Sequence, residues 1–492
     1  MSILGRGPFY LFLAVVFISL RCEKALEETP KSLLTNKVFY TTASDALLAV
    51  NAAYDHLGSG TSNSDFGGVY FNNFWVIQAL ASDEGEAGRS DPNTVQLDEF
   101  RHDASNLMVQ DVWEDTYKTI NLANIAIKNI PDIDMDEGLK NRLMGEVFFI
   151  RGMMYFDLVR MFGDVPLRLL PTEDLSILTA ERTGAEEVYA QVITDLQAAE
   201  TRLPVSYTGA DLGRATTGAA SGYLAKVFLT RKEWPAAMQH AEKVMASGNY
   251  QLLDDYADIF KIANSNSREV VFSINFTFNN NAIWETSQFN VRTLPLALNR
   301  NSNSWEVPTA DVYAAFDPMD RRREVTFATS FTESDGTVIN FTPHIFKYWD
   351  QKAEPSASSS GSDFFNLRYA DILLMYAEAA NEVANGPTAE AYEALNRVRR
   401  RARFAEGVER QVLPELSDLN MQAFREAVWL ERRRELVWEG HRWFELVRQN
   451  RLKSRVEAAK PGVTVDESKY VLFGIPQRER DINPNLSQNP GY

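Results

Sequence analysis

Apolar positions repeat at helical spacing over most of the chain, and the repeat fails in one stretch near the middle. In residues 44–57, Ala46, Leu47, Val50, Ala53, Tyr54 and Leu57 fall on one helix face, with Ser44 or Asp45 placed to cap the N-terminus. The same spacing predicts helices over 112–130, 139–161 and 185–203, closed by Pro131, Pro166 and Pro204. A helix pair is expected over 222–245, where Ala225, Phe228, Trp234, Ala237, Ala241 and Val244 form the apolar side. Between 269 and 349 the period changes. There 270–274, 325–331 and 345–349 are rich in β-branched and aromatic residues and read as short strands. Residues 275–303 are rich in asparagine, with Phe276, Phe278, Trp284 and Phe289 interspersed, and the serine-rich 356–363 reads as a loop. Helical regions bracketing a loop-rich middle follow from this pattern.

One helical stretch, FREAVWLERRRELVWEGHRWFELVR (424–448), carries an internal conflict. Glu431, Glu435 and Glu439 repeat at i, i+4, where each like-charged pair costs roughly 0.2–0.5 kcal/mol unless compensated. Arg432, Arg433 and Arg434 in the same stretch, and Arg397, Arg399, Arg400, Arg401 and Arg403 in the preceding helix, predict a carboxylate–guanidinium network between two packed helices. Trp429, Trp438, Trp443 and Phe444 supply the apolar mass beside it. A carboxylate-bridged metal site would use Glu-x-x-His, whereas the spacing here is Glu439-Gly440-His441, so the stretch reads as structural.

Three motifs in order, LRYADILLMYAEAANE (367–382), ERRRELVWEGHRWFELVR (431–448) and IPQRERDINPNLSQNPGY (475–492), resemble the C-terminal half of the RagB/SusD family. FYTTASDALLAVNAAYDHL (39–57) and RGMMYFDLVRMFGDVPL (151–167) extend the resemblance more loosely to the N-terminal half. The 222–245 pair is spaced like a tetratricopeptide hairpin, and Gly152 with Tyr155 and Ala377 with Ala380 echo its first spacing. The resemblance implies a mostly α, SusD-like fold, with divergent tetratricopeptide-type hairpins packed against a loop-rich region with a few short strands. It implies a signal peptide over 1–21, an N-terminal SusD-like region over 22–268 and a C-terminal RagB/SusD region over 269–492. Members are surface lipoproteins of Bacteroidetes-type bacteria that capture glycans, or in some cases peptides, and cover a SusC-like TonB-dependent outer-membrane transporter. WEVPTADVYAAFDPMDRRR (305–323) resembles a framework segment of the family, which assigns Trp305 to the core.

Composition narrows the partners. The 492 residues carry 50 Lys and Arg against 67 Asp and Glu, a formal charge of −17 that opposes binding to nucleic acid and to anionic membrane surfaces. The single cysteine, Cys22, follows an apolar run over 9–20 preceded by Arg6, the layout of a secretory signal too short to span a bilayer. Cys22 resembles the lipid acceptor of bacterial lipoproteins, although Arg21 stands where a small residue is usual. Glu23, Glu27 and Glu28 loosely resemble the acidic tether of surface-exposed lipoproteins. The expectation is a cell-surface protein held to the outer membrane by lipid alone.

Motif searches for catalysis end without a match: G-x-S-x-G, H-E-x-x-H and a phosphate-binding loop are missing from the sequence. His56, His102, His240, His344 and His441 are scattered without metal-ligand spacing, so neither a metal nor a cofactor is expected. Asp83 with Glu84 or Glu86 forms the one stretch that keeps a glycoside hydrolase open. A solvated acidic turn, or acceptors for sugar hydroxyls, is the plainer reading.

A pyranose offers an apolar C–H face and a rim of hydroxyls, and so asks for flat aromatics beside Asn, Asp, Gln or Arg. Two stretches combine them: Tyr70, Asn72, Asn73 and Trp75 with Asp83 and Arg89, and Asn281 and Trp284 with Arg292. The competing reading is that Phe74 and Trp75 open a buried helix. The sequence therefore points to a non-catalytic binder of oligosaccharide that delivers it to a transporter. A helical scaffold that binds protein or peptide, and a hydrolase using Asp83 or Glu84, remain the alternatives.

Overall fold

The structure is a computed structural model that describes residues 40–58, 68–172, 179–278, 286–298, 302–350 and 360–492. The expected signal segment, Cys22, Asn281 and Trp284 lie outside the described residues.

Helices dominate. α1 (Ala43–Gly58), α2 (Asn73–Leu80), α3 (Leu107–Asn129), α4 (Glu137–Phe162), α5 (Ala185–Glu200), α6 (Thr217–Thr230) and α7 (Trp234–Ala246) make the N-terminal part. α8 (Tyr369–Val383), α9 (Ala389–Arg401), α10 (Met421–Glu435), α11 (Arg442–Arg448) and α12 (Leu452–Ala459) follow the strand region. The cap of α1 is Thr42 rather than Ser44 or Asp45. The Thr42 hydroxyl accepts from Asp45 N at 3.3 Å, and the Asp45 carboxylate accepts from Thr42 N at 2.8 Å, a reciprocal capping box.

From α3 to α8 each long helix packs on the next, so α7 against α8 joins the two helical parts into one row. Small residues set the spacing. A Cβ on Gly152 would lie 3.1 Å from the Leu196 side chain, and one on Gly222 would lie 2.5 Å from Leu367 and 2.9 Å from Ile372. Arg151 ties three helices, with both terminal contacts to Asp195 at 2.8 Å and one to Asn124 at 2.9 Å. The main hydrophobic cluster holds residues from both sides of position 268, Phe149 and Phe272 among them, in edge contact with centroids 4.8 Å apart.

Strands are few and form two-stranded pairs: β1 (Gly85–Ala87) with β3 (Glu306–Pro308), β2 (Val270–Ile274) with β6 (Phe364–Arg368), and β4 (Phe327–Thr332) with β5 (Val338–Ile345), all antiparallel. The expected strand at 345–349 is instead the end of β5 and a turn, in which Trp349 N bonds Phe346 O at 2.9 Å. Lys347 explains the turn, because its ammonium is drawn inward to Glu439 at 2.8 Å.

The predicted charge network exists, with a different membership. α10 stops at Glu435, and Trp438 (φ 61°) and Gly440 (φ 73°) turn the chain, so Glu439 lies past the helix rather than on its face. Arg368 donates to Glu269 at 2.8 Å, Glu435 at 2.9 Å and Glu439 at 2.7 Å. Arg401 bonds Glu269 and Glu435, Arg399 bonds Glu431 at 2.8 Å, and Arg322 bonds Glu431 at 2.7 Å and Glu435 at 3.2 Å. Burial alone would push the Glu435 carboxyl up, yet Arg401, Arg368 and Arg322 hold it down to about 2. Arg432 turns away to Asp371 and Glu445, and Arg433 to Asp83 and Asp311.

Candidate ligand cleft

The first aromatic stretch goes inward. Every residue of α2 is buried, because the chain after Gly68 enters the interior. Tyr70, 1% exposed, donates its hydroxyl to Asp157 and stacks on Phe364 with centroids 5.3 Å apart. Trp75, also 1% exposed, stacks on Phe289 at 4.6 Å, and Phe289 stacks on Tyr348 at 4.0 Å. Asn72 bonds Asn73 at 2.7 Å and Asn73 bonds Asp111 at 3.0 Å. These four side chains are core, which corrects the expectation of a surface platform: an indole packed on both sides has no face left for a sugar.

Asp83 is equally committed. Arg442 grips it at 2.7 and 2.9 Å and Arg455 adds a contact at 3.1 Å. These guanidiniums, with Arg433, hold its carboxyl far below the usual range against the opposing effect of burial. Glu84 beside it is buried too, accepts from Trp438 N at 3.2 Å and is pushed up to about 7, burial being the main cause. Arg292 is buried and lies over the half-buried Trp305 ring, 3.2 Å from its centroid. Burial lowers Arg292 to about 9 against the pull of Glu306. Of the expected binding residues that are described, Arg89 alone is exposed. The structure does not gather this set into one site.

It builds a cleft elsewhere, a cavity of about 520 Å³ among the C-terminal half of α1, the 210–214 turn and the segment leaving β2. Arg214 organises it. Its guanidinium donates to Asn51 at 2.6 Å, to Glu146 at 2.8 Å and to Asp211 at 2.8 Å, and lies 5.5 Å from the Tyr54 ring centroid. The Tyr54 hydroxyl accepts from Ala215 N at 3.0 Å, which fixes the ring. Gly213 sits at φ 92°, a conformation strained for any residue with a Cβ, and packs beside the Asn275 amide. Asn275 donates to Asn266 at 3.0 Å and accepts from Ser273 at 2.6 Å. Leu212, 53% exposed, lines the cavity with Phe276 and Ile274.

Gly58 and Thr277 both line the cavity. Gly58 packs on β2, where a Cβ would lie 3.0 Å from Ile274 and 3.1 Å from Phe276. Ser287 and Ser360 form a backbone pair, at 2.8 and 3.1 Å. Asp363 next to it accepts from Phe276 N at 3.0 Å, and burial pushes its carboxyl up to about 6. Sequence reading placed Tyr54 on the apolar side of α1 and passed over Asn51 and Arg214. The signal available was the Gly-Ala-Asp-Leu-Gly-Arg turn at 209–214, where two glycines and two charges interrupt helical spacing.

Among the described residues no three His, Cys, Asp or Glu side chains group as a metal site, and no helix is long and apolar enough to cross a membrane.

Comparison with known proteins agrees across the chain. The SusD family model matches residues 309–492, and a second, described as starch-binding associating with outer membrane, matches residues 59–229. Two SusD-like proteins of Formosa agariphila are each 30% identical, one over 98% of both chains and the other over 95% of this chain and 96% of its own. A SusD homologue from Bacteroides thetaiotaomicron superimposes with a TM-score of 0.79 at 26% identity, covering 93% of this chain and 98% of that one. A SusD superfamily protein from Parabacteroides distasonis gives 0.78 at 26% identity, over 94% and 100%. The row of helices, the sparse two-stranded sheets and these matches over nearly the whole length agree: the chain belongs to the RagB/SusD family of SusD-like proteins.

Proposed function

We propose that this chain is a non-catalytic glycan-capturing protein of the outer membrane, that it takes oligosaccharide in the cleft beside Tyr54, and that it passes it to a SusC-like TonB-dependent transporter. One observation carries the reading: Tyr54, Asn51, Asn275 and Arg214 line one cavity. An aromatic ring, amide groups and a guanidinium face one cavity, the combination a pyranose needs. The matched family's description as starch-binding and associated with the outer membrane supports both substrate class and location. Trp284 is proposed as the stacking residue and Cys22 as the lipid attachment. Asp83 and Glu84 are poor candidates for hydrolysis, since both are buried and Asp83 is gripped by arginines.

Titration with a panel of neutral oligosaccharides and peptides, with product analysis on the same mixtures, tests this. Saturable binding of one glycan without cleavage is expected. Binding confined to peptides, or release of shorter sugars, would overturn it. Cys22→Ala should release the protein or leave it unprocessed, whereas a processed mutant still in the outer-membrane fraction would remove the lipid anchor.

A further inference from the structure

A second cavity, of about 480 Å³, lies on elements that contribute nothing to the cleft: α10, the start of α11, α12 with Arg451, and the short helix Ala310–Ala314. Arg433, Arg434, Arg442, Arg451 and Arg455 line it, with the half-buried Trp429. Five guanidiniums in one cavity are unexpected in a chain of net charge −17. Three carboxylates answer them at this site. Asp83 meets Arg433, Arg442 and Arg455; Asp311 meets Arg433 at 2.5 Å and Arg455 at 2.7 Å; Glu426 meets Arg451 at 2.7 Å. Arg434 donates to the Ala315 carbonyl at 2.7 Å. The lining thus carries five guanidiniums against the two carboxylates of Asp311 and Glu426, with Asp83, Glu84, Glu431 and Glu445 acting on the same arginines from outside the lining, and burial together with Arg442 and Arg455 disfavours the charged state of Arg433 despite Asp83 and Asp311.

The excess is held in place. Asp83 has no exposure, so Arg433, Arg442 and Arg455 are fixed from below, while Arg455 and Arg451 keep 24% and 31% of their side chains open to solvent. The indole of Trp429 donates to Glu378 at 2.9 Å, and Arg451 lies over its ring, 5.4 Å from the centroid. Leu430, 40% exposed, extends the apolar surface. The Arg451–Glu426 pair is partly open to solvent on both sides, the kind of pair that contributes little and that an incoming anion displaces at small cost. Fixed guanidinium forks beside an indole suit a planar or tetrahedral oxyanion attached to a ring.

We infer that this second cavity binds an oxyanion, the carboxylate or sulfate group of an acidic saccharide, at Arg451 and Arg455 with the sugar ring against Trp429. The anion is argued from the guanidiniums alone; its sugar carrier rests on the glycan-capture reading.

The test is calorimetric titration of the full chain, at constant ionic strength, with galacturonic acid, galactose 6-sulfate, neutral galactose and sodium sulfate. At least one acidic sugar should saturate and bind more tightly than sodium sulfate, and neutral galactose should not displace it. Arg451→Gln should weaken it about tenfold or more, from loss of a charge-assisted contact. Glu426→Gln should strengthen it several-fold by removing the competing carboxylate. Both positions are partly exposed, and an unchanged Tm confirms the fold. Leu212→Arg, at the neutral cleft, should leave this binding intact, so failure of one site is distinguishable from failure of the other. No saturable binding, or affinities unmoved in both variants, would overturn the site. Sodium sulfate binding as tightly as the sugars, or an oligoglutamate peptide binding more tightly than them, would overturn the saccharide assignment.

Discussion

The charged frame around Glu435 and the segment behind the cleft, where Asp363 accepts from Phe276 N, treat a buried carboxyl in opposite ways. Glu435 is surrounded by Arg322, Arg368 and Arg401 and is held ionised, down to about 2. Asp363 is buried with hydrogen-bond donors and no adjacent cation to outweigh desolvation, and is pushed up to about 6. Burial acts the same way in both places. Whether guanidiniums are supplied decides the sign. The frame commits its charges to one another, while the cleft is lined by amides, the rings of Tyr54 and Phe276, Asp55 and a single well-braced arginine, Arg214.

The largest expected effect breaks the frame. Glu435→Ala removes the one buried carboxylate shared by Arg322, Arg368 and Arg401 and leaves each short of a contact, at a cost of about 3–5 kcal/mol for a broken buried network. The loss should appear in Tm or in soluble yield. A mutant with wild-type Tm and no glycan binding would reverse the roles assigned to the two regions.

The pH dependence of the two regions should run in opposite directions. A carboxyl lowered from 4.5 to about 2 gives stability that is present above pH 4.5 and is lost as pH falls toward 2, about 3 kcal/mol in all. A carboxyl raised from 3.8 to about 6 keeps its proton in the folded state, so its contribution is full below pH 3.8 and is lost as pH rises through 6, again about 3 kcal/mol. Asp363→Asn imitates the protonated form and should flatten the decline between pH 4 and 6 in denaturant melts. An unchanged slope would show that Asp363 titrates normally.

A smaller effect concerns binding alone. If Trp284 supplies the stacking face, Trp284→Ala removes about 1–3 kcal/mol of apolar burial and weakens glycan binding about ten- to a hundredfold, with Tm nearly unchanged. Equal affinity in a well-folded mutant would take Trp284 out of the site.

The frame was legible in the sequence because its signals are periodic. The i, i+4 glutamates demanded cations, and the helices over 112–130, 139–161 and 185–203 appear within a few residues of α3, α4 and α5. What periodicity could not supply was the end of α10. Arg368 and Lys347, distant in sequence, meet Glu439 only because the turn at Trp438–Gly440 redirects the chain. The cleft was less legible. Tyr70–Trp75 and a ligand platform share one composition, aromatic residues among asparagines, and only three-dimensional packing reveals that α2 is enclosed on all sides. Conversely, Tyr54 belongs to a helix face and Arg214 to a polar turn, and neither residue alone announces a cavity.

The cleft itself is tested most directly at Leu212 in its lining. Leu212 is exposed, so Leu212→Arg places a long charged side chain on the cleft lining without removing any core contact. Isothermal titration of wild type and Leu212→Arg with the preferred neutral oligosaccharide decides the matter. At equal Tm, binding at least tenfold weaker in the variant is the expected result. Identical affinities would contradict capture of glycan in this cleft.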